Sequence, residues 1–258
     1  MNDVNSGNAA KVQLSSAEMA LVTEPGWILT KNSIMGKAVE LLAEVSEGYK
    51  VQAAGLVAVF NRAAPDGTVE TGRGMREEEG EAGMGAEGCG GEVGEGGGER
   101  EEDAAMGDGQ PGHRHPGLLS AKISKGENYE GLPYVMLDYP RIFGREDVFA
   151  IRTMMWWGHY FSVTLHLKGR YKALFLPVIR ERLGVLAGHG FLIGESEEEW
   201  RHELAPGNYR PLEMVEDIEA LLTERPFLKL SAKCGLDRWN EAGSILQELF
   251  RVLVAVLC

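Results

Sequence analysis

The sequence predicts an α+β fold of two layers, with about four mainly antiparallel strands and helices packed on one face. Three observations carry this expectation. Residues Gly158 to Lys168 alternate strictly: Phe161, Val163, Leu165 and Leu167 point one way, and Tyr160, Ser162, Thr164, His166 and Lys168 the other, the signature of a strand with one buried and one wetter face. Near the C-terminus Trp239, Ala242, Leu246, Leu249, Leu253 and Val256 recur at helical spacing, one apolar stripe to set against a sheet. Between them, short apolar runs are cut by Pro and Gly. Helix and strand alternate after residue 134, so a partly parallel α/β sheet stays open as the alternative.

The elements follow in order. Residues 1–14 are polar and read as a flexible N-terminus. Ser15 and Glu18 stand at capping-box spacing, which starts a helix at Ser16 that Pro25-Gly26 stops. A second helix is expected from about Asn32, where Ile34, Ala38, Leu41, Leu42, Val45 and Tyr49 form a stripe. Leu56 to Phe60 is helix or strand. These residues make a helical part of the domain over 15–64. The main α+β part of the same domain is expected over 119–258. In it, Tyr134 to Tyr139 reads as an inner strand closed by Pro140. Gly144 to about Met155 reads as a helix with Val148, Ile151 and Met155 on one side. A helix with Pro177 near its first turn runs to about Ala187. Gly190 to Gly194 is a short strand. Ser196 to Leu204 is a short helix on the Ser196/Glu199 spacing. Glu213 to Thr223 is a helix, Phe227 to Lys233 a strand, and Asp237 caps the final helix.

Between the two parts lies a segment of different texture. Residues 65–118 hold 17 of the 34 glycines and 14 acidic against 4 basic residues, a net of -10, so the rest of the 258-residue chain carries only -3 of the total -13. With no periodicity and little to bury, such a segment is expected to be a disordered acidic insert. Lengthening a loop from about 6 to about 54 residues costs only roughly 2 kcal/mol of closure entropy, so an insert can interrupt a domain without dividing it.

Three cysteines, Cys89, Cys234 and Cys258, form no paired framework, which fits a reducing, cytoplasmic compartment. No apolar run approaches the ~20 residues of a spanning helix, so no membrane segment is expected. The folded part has no basic run, which removes electrostatic support for a nucleic-acid partner.

The stretches Lys122 to Tyr129, Gly131 to Arg141, Phe149 to Thr153 and Trp156-Trp157-Gly158, with Trp27 to Lys31 before the insert, resemble a family of bacterial hypothetical proteins. The resemblance implies a single folded unit and carries no activity.

Motifs with defined chemistry are missing. Gly36-Lys37 is followed by Ala38 and preceded by lysine at 31, so no phosphate loop forms; His202-Glu203 is not part of a zincin helix; no nucleophile elbow, cofactor fingerprint or zinc spacing occurs. No cofactor or metal is expected. One constellation remains, between residues 129 and 170. Asp138 lies inside a strand apolar on both faces, where a carboxylate must be paired or hydrogen-bonded. Arg141, Arg145 and Arg152 are near enough in sequence to pair with it. The structural reading is an Asp–Arg pair. The functional reading makes Asp138 an acid or base and Arg141 or Arg152 a clamp for an anion. His159 on the apolar row and His166 on the polar row are either satisfied residues or proton carriers. Trp156 and Trp157 are either core or a stacking platform for a planar ligand.

Two functions follow. A non-catalytic binding or protein-interaction module is favoured by the missing motifs and the apolar C-terminal helix, which also offers a homodimer seam over 237–258. The alternative is an enzyme acting on a small polar or anionic substrate through the Asp138, Arg152 and His159 region.

Overall fold

The computed structural model describes residues 12–63 and 120–258. Expectations for the N-terminal residues up to 11 and for the acidic insert lie outside the described residues. Among the described residues the fold is α+β, but its sheet has seven strands rather than about four: β1 (Lys122–Tyr129), β2 (Leu132–Phe143), β3 (Val148–Trp156), β4 (Tyr160–Lys168), β5 (Leu192–Gly194), β6 (Tyr209–Pro211) and β7 (Phe227–Gly235). They stand in the order β1-β2-β3-β4-β7-β5-β6. Every pairing is antiparallel, which removes the partly parallel alternative.

The helices are α1 (Ser16–Thr23), α2 (Gly26–Gln52), α3 (Ala54–Ala63), α4 (Arg170–Glu181), α5 (Leu183–Gly188), α6 (Ile218–Glu224) and α7 (Trp239–Leu257). One sheet face carries Val135, Leu137, Phe149, Ile151, Met155, Phe161, Val163, Leu165, Leu228 and Leu230 into a core shared with α2, α3, α4 and α7. Tyr49 of α2 ties the layers together. Its ring stacks on Phe250 at 3.7 Å, and its hydroxyl bridges Thr153 of β3 and the Leu246 carbonyl of α7. The α7 stripe is spent here: Ala242, Leu246, Leu249, Leu253 and Val256 are buried within the chain's own core. The expected dimer seam is therefore already covered by the sheet and α2.

Several elements differ from expectation for identifiable reasons. Val148–Trp156 is a strand, not part of a helix. It is buried on both faces, and a segment buried on both faces shows no distinguishing period. Ser196 to Leu204 is not helical. Ser196 Oγ accepts a hydrogen bond from the Glu198 amide, and Glu199 is drawn instead to His166 and Lys168. Glu213 to Thr223 splits into a 3-10 turn (Leu212–Met214) and α6, because Asp217 caps the later start by accepting from the Ala220 amide. Pro177 sits inside α4 rather than in its first turn, and α2 begins at Gly26, directly after Pro25, rather than near Asn32. Lys122–Tyr129, unassigned from sequence, is the edge strand β1.

Candidate functional site

The sheet's second face is where polar side chains accumulate, and strand register puts them in rows. Asp138 of β2 is opposite Arg152 of β3. Arg152 is opposite Thr164 of β4, and Thr164 is opposite Ser231 of β7. In the next row Ala150, His166 and Lys229 are aligned across β3, β4 and β7. A chain segment without helix or strand, residues 195–208, links β5 to β6 and crosses this face as a strap. Its contacts reach from β7 to β1. The Lys229 ammonium donates to the Glu199 carbonyl at 3.0 Å and to the Arg201 carbonyl. The Glu199 carboxylate accepts from Lys168 at 2.8 Å. The His202 amide donates to the Tyr129 hydroxyl, which donates on to Glu203. The Leu204 amide donates to the Tyr160 hydroxyl at 2.6 Å.

At the centre Asp138 accepts two hydrogen bonds from Arg152, 2.7 Å from Nε and 2.9 Å from Nη2. This bidentate geometry is the strong form of the pair. Arg152 Nη1 donates to His202 Nε2 at 3.0 Å, which leaves the His202 proton on Nδ1 and the ring neutral. Burial, then Arg152, then Lys229 hold His202 well below the usual histidine range. Burial also lowers His166, whose Nε2 stands 3.1 Å from Glu199 Oε1. Both atoms are buried and face each other across this contact. Burial and then the Arg152 charge bring the Lys229 ammonium down to about 7. The Glu199 carboxyl is held down to about 2, chiefly by His166 and, after an opposing burial effect, Lys168. Between sheet and strap there is a void of about 10 Å³ lined by Phe143, Ala150, Arg152, Thr164, His166, His202 and Lys229, room for about one water.

Of the residues singled out in the sequence, Asp138, Arg152 and His166 come together. The others do not. A register shift after Asp138 carries Arg141 away, at Pro140, which has no N–H for the ladder, and Arg141 bonds Ser120. Arg145 is exposed beside Glu146. His159 is not on an apolar strand row. It lies in the exposed turn after β3, where Gly158 adopts φ 75°, and it stacks on Trp156 at 3.7 Å. Trp156 is buried and donates to the Tyr129 carbonyl. Trp157 packs against the helix-side core. The pair forms no open platform. Lys229, Glu199, His202 and Tyr129 were missed. Lys229 had a signal, since Lys229, Ser231 and Lys233 alternate with Leu228, Leu230 and Ala232. Glu199 and His202 had none, because the strap's path is set by tertiary contacts.

A second feature lies at the opposite end of the functional spectrum. Residues 12–29 form a hook clear of the core. The capping box of Ser15 and Glu18 is complete, and the Trp27 indole donates back to the Leu21 carbonyl at 2.8 Å, yet α1 buries none of its residues. Leu14, Met19, Leu21, Val22, Trp27 and Leu29 are all exposed. Lys31, where α2 reaches the sheet, pairs with Glu127 of β1.

Among the described residues no helix is long and apolar enough to cross a membrane. No protein-family model, curated protein or solved structure matches the chain. The molecule is therefore defined by its own geometry: a seven-stranded antiparallel α+β domain, helices on one face and a strapped polar cluster on the other.

Proposed function

We propose that the chain is a non-catalytic protein-interaction module that engages a basic protein partner through the apolar hook of residues 12–29. The observation that carries this reading is the exposure of Leu14, Met19, Leu21, Val22, Trp27 and Leu29 on one locally ordered element. An eight-residue helix that buries nothing is marginal by itself in water, and clustered exposed apolar side chains mark interaction surfaces. The partner's charge follows from the chain's own. The hook carries Glu18 and Glu24 and no basic residue between positions 12 and 29, so two hooks repel, whereas a basic partner is attracted.

The polar cluster supports the non-catalytic part. Asp138 is engaged by two hydrogen bonds from Arg152, and the void beneath the strap is too small for an organic substrate. The enzyme alternative would need the strap to lift.

The test is site-specific photocross-linking from position 22 of the full chain in its native cells, with exposed position 224 as control. The cross-linked protein is then purified and titrated against the parent chain and a Val22→Asp, Leu29→Asp variant. These two side chains are 67% and 64% exposed, so the variant should melt with the parent. Expected are a partner of net positive charge, binding weakened at least a hundredfold in the variant, and weaker binding in high salt. Equal binding by the variant sinks the proposal. So does a concentration-dependent homodimer in sedimentation that the variant abolishes, because the hook would then be occupied by a second copy.

A further inference from the structure

We propose that the strap of residues 195–208 is a proton-operated cover, which lies on the sheet while His202 is neutral and lifts when that ring takes a proton. Lifting bares the row of Arg152, Thr164 and Ser231 and the row of Ala150, His166 and Lys229. The switch is separate from the hook and does not depend on the protein-interaction reading.

The strap is built to move as a unit. Its two ends are fastened to each other. Gly194 is opposite Tyr209 in the β5–β6 pair, and the Glu195 amide donates to the Asn208 carbonyl at 2.9 Å. A loop with joined ends is an Ω-loop, and such a loop can open while the strands that hold it stay paired. The apolar core draws none of its residues from the strap. What holds the strap down is polar. Glu199 meets Lys168 and His166, Lys229 donates to two strap carbonyls, the Tyr129 and Tyr160 hydroxyls accept from the His202 and Leu204 amides, and the His202 ring meets Arg152.

The last of these fastenings exists in one protonation state. A guanidinium only donates, so the 3.0 Å contact of Arg152 Nη1 with His202 Nε2 requires the lone pair of a neutral ring. A proton on Nε2 removes that acceptor and sets a second cation against Arg152. The surroundings do not welcome it. Tyr129 of β1 is uncharged, its ring 5.5 Å from that of His202. Asp138 of β2 already takes two hydrogen bonds from Arg152 of β3. His166 and Lys168 on β4 and Lys229 on β7, which lies over Tyr209 of β6, add nitrogen groups. On the strap, Glu199 pairs with Lys168 and Glu203 with Arg201. Burial, Arg152, Lys229 and His166 together hold the ring well below the usual histidine range.

The direction of the switch follows. In the lifted strap the ring returns to its ordinary ~6.5, so the lifted form binds one more proton than the closed one. The ratio of lifted to closed strap therefore rises at least about tenfold from pH 6.5 to pH 5. His166, also lowered by burial, adds in the same direction. Glu199, held down to about 2, keeps the closed strap anchored to Lys168 throughout this range.

Hydrogen exchange of the full chain between pH 6.5 and pH 5, with each rate divided by the intrinsic rate at the same pH, tests the switch. Protection of amides 202 and 204 should fall at least about tenfold while the amides of β4 keep theirs. His202→Gln, which retains an acceptor for Arg152 but does not titrate, should lose most of that pH dependence. The His202 ring carbons, followed by nuclear magnetic resonance in the parent chain, should titrate only as amide 202 loses protection. The proposal is overturned if protection at 202 and 204 is flat with pH, if β4 loses protection equally, or if His202→Gln falls as steeply as the parent. It is overturned equally by a ring that titrates at the ordinary ~6.5 while amide 202 stays protected, because the closed strap would then carry the charge.

Discussion

Removal of the Asp138 carboxylate should destabilise the chain out of proportion to its size. Asp138 and Arg152 expose only 7% and 15% of their side chains, and their two hydrogen bonds are 2.7 and 2.9 Å long. Asp138→Ala removes both carboxylate acceptors from the guanidinium under the strap and keeps its bond to His202 Nε2. Breaking one half of a buried pair costs about 3–5 kcal/mol, a third or more of the roughly 5–15 kcal/mol that holds a domain together. In equilibrium urea unfolding followed by circular dichroism, the midpoint should fall by about 1–2 M. Asp138→Asn, which keeps the shape and one acceptor, should fall between the two. The double replacement Asp138→Leu with Arg152→Met removes both charges together and withdraws the donor from the His202 ring nitrogen, a cost of about 1–3 kcal/mol. The double variant should therefore be more stable than Asp138→Ala. A loss below about 1 kcal/mol for Asp138→Ala, or a double variant worse than the single, would refute the assignment of this pair to structure rather than chemistry.

Three further outcomes test other parts of the cluster and core. Lys229 titrates at about 7 in the folded chain, first through burial and then through Arg152, against ~10.4 when unfolded. The unfolded chain therefore binds more protons between these values, and stability should rise from pH 7.5 to 9.5 by up to about 1.4 kcal/mol per unit. Lys229→Met should flatten that slope in urea midpoints, and a flat parent curve would show that the ammonium is not desolvated. Glu199, held down to about 2, contributes fully above its unfolded value of ~4.3 and loses its contribution as pH falls toward 2. Glu199→Gln should remove that acid sensitivity and speed hydrogen exchange at amides 200–204 by about tenfold while leaving β4 unchanged. Tyr49→Phe withdraws the hydroxyl shared by Thr153 and Leu246 and should cost about 1–3 kcal/mol in thermal unfolding.

What could be read in advance divides along a physical line. Strand β4 and helix α7 were legible because each has one wet and one dry side, and the alternation at Phe161 to Leu167 and the stripe from Ala242 to Val256 record that difference directly. Strand β3 was not, because Val148, Ala150 and Met154 are as buried as Phe149, Ile151 and Met155. The spacing of Val148, Ile151 and Met155 then fits a helix as well as a strand. The same logic governs the site. Asp138 announced itself as a charge in an apolar strand, and such a charge needs a partner, so Arg152 could be named before any register was known. Glu199 stood in a capping-box pattern that a local rule assigns to a helix start. In the fold its carboxylate meets His166 and Lys168 instead. A cap contributes about 1 kcal/mol, and a half-buried carboxylate between a lysine and a histidine offers more, so the tertiary partner prevails over the local one. The strap thus takes its course from charges on the sheet beneath it. That is why the polar face, rather than any sequence signal in residues 195–208, determines where the strap lies and what fits under it.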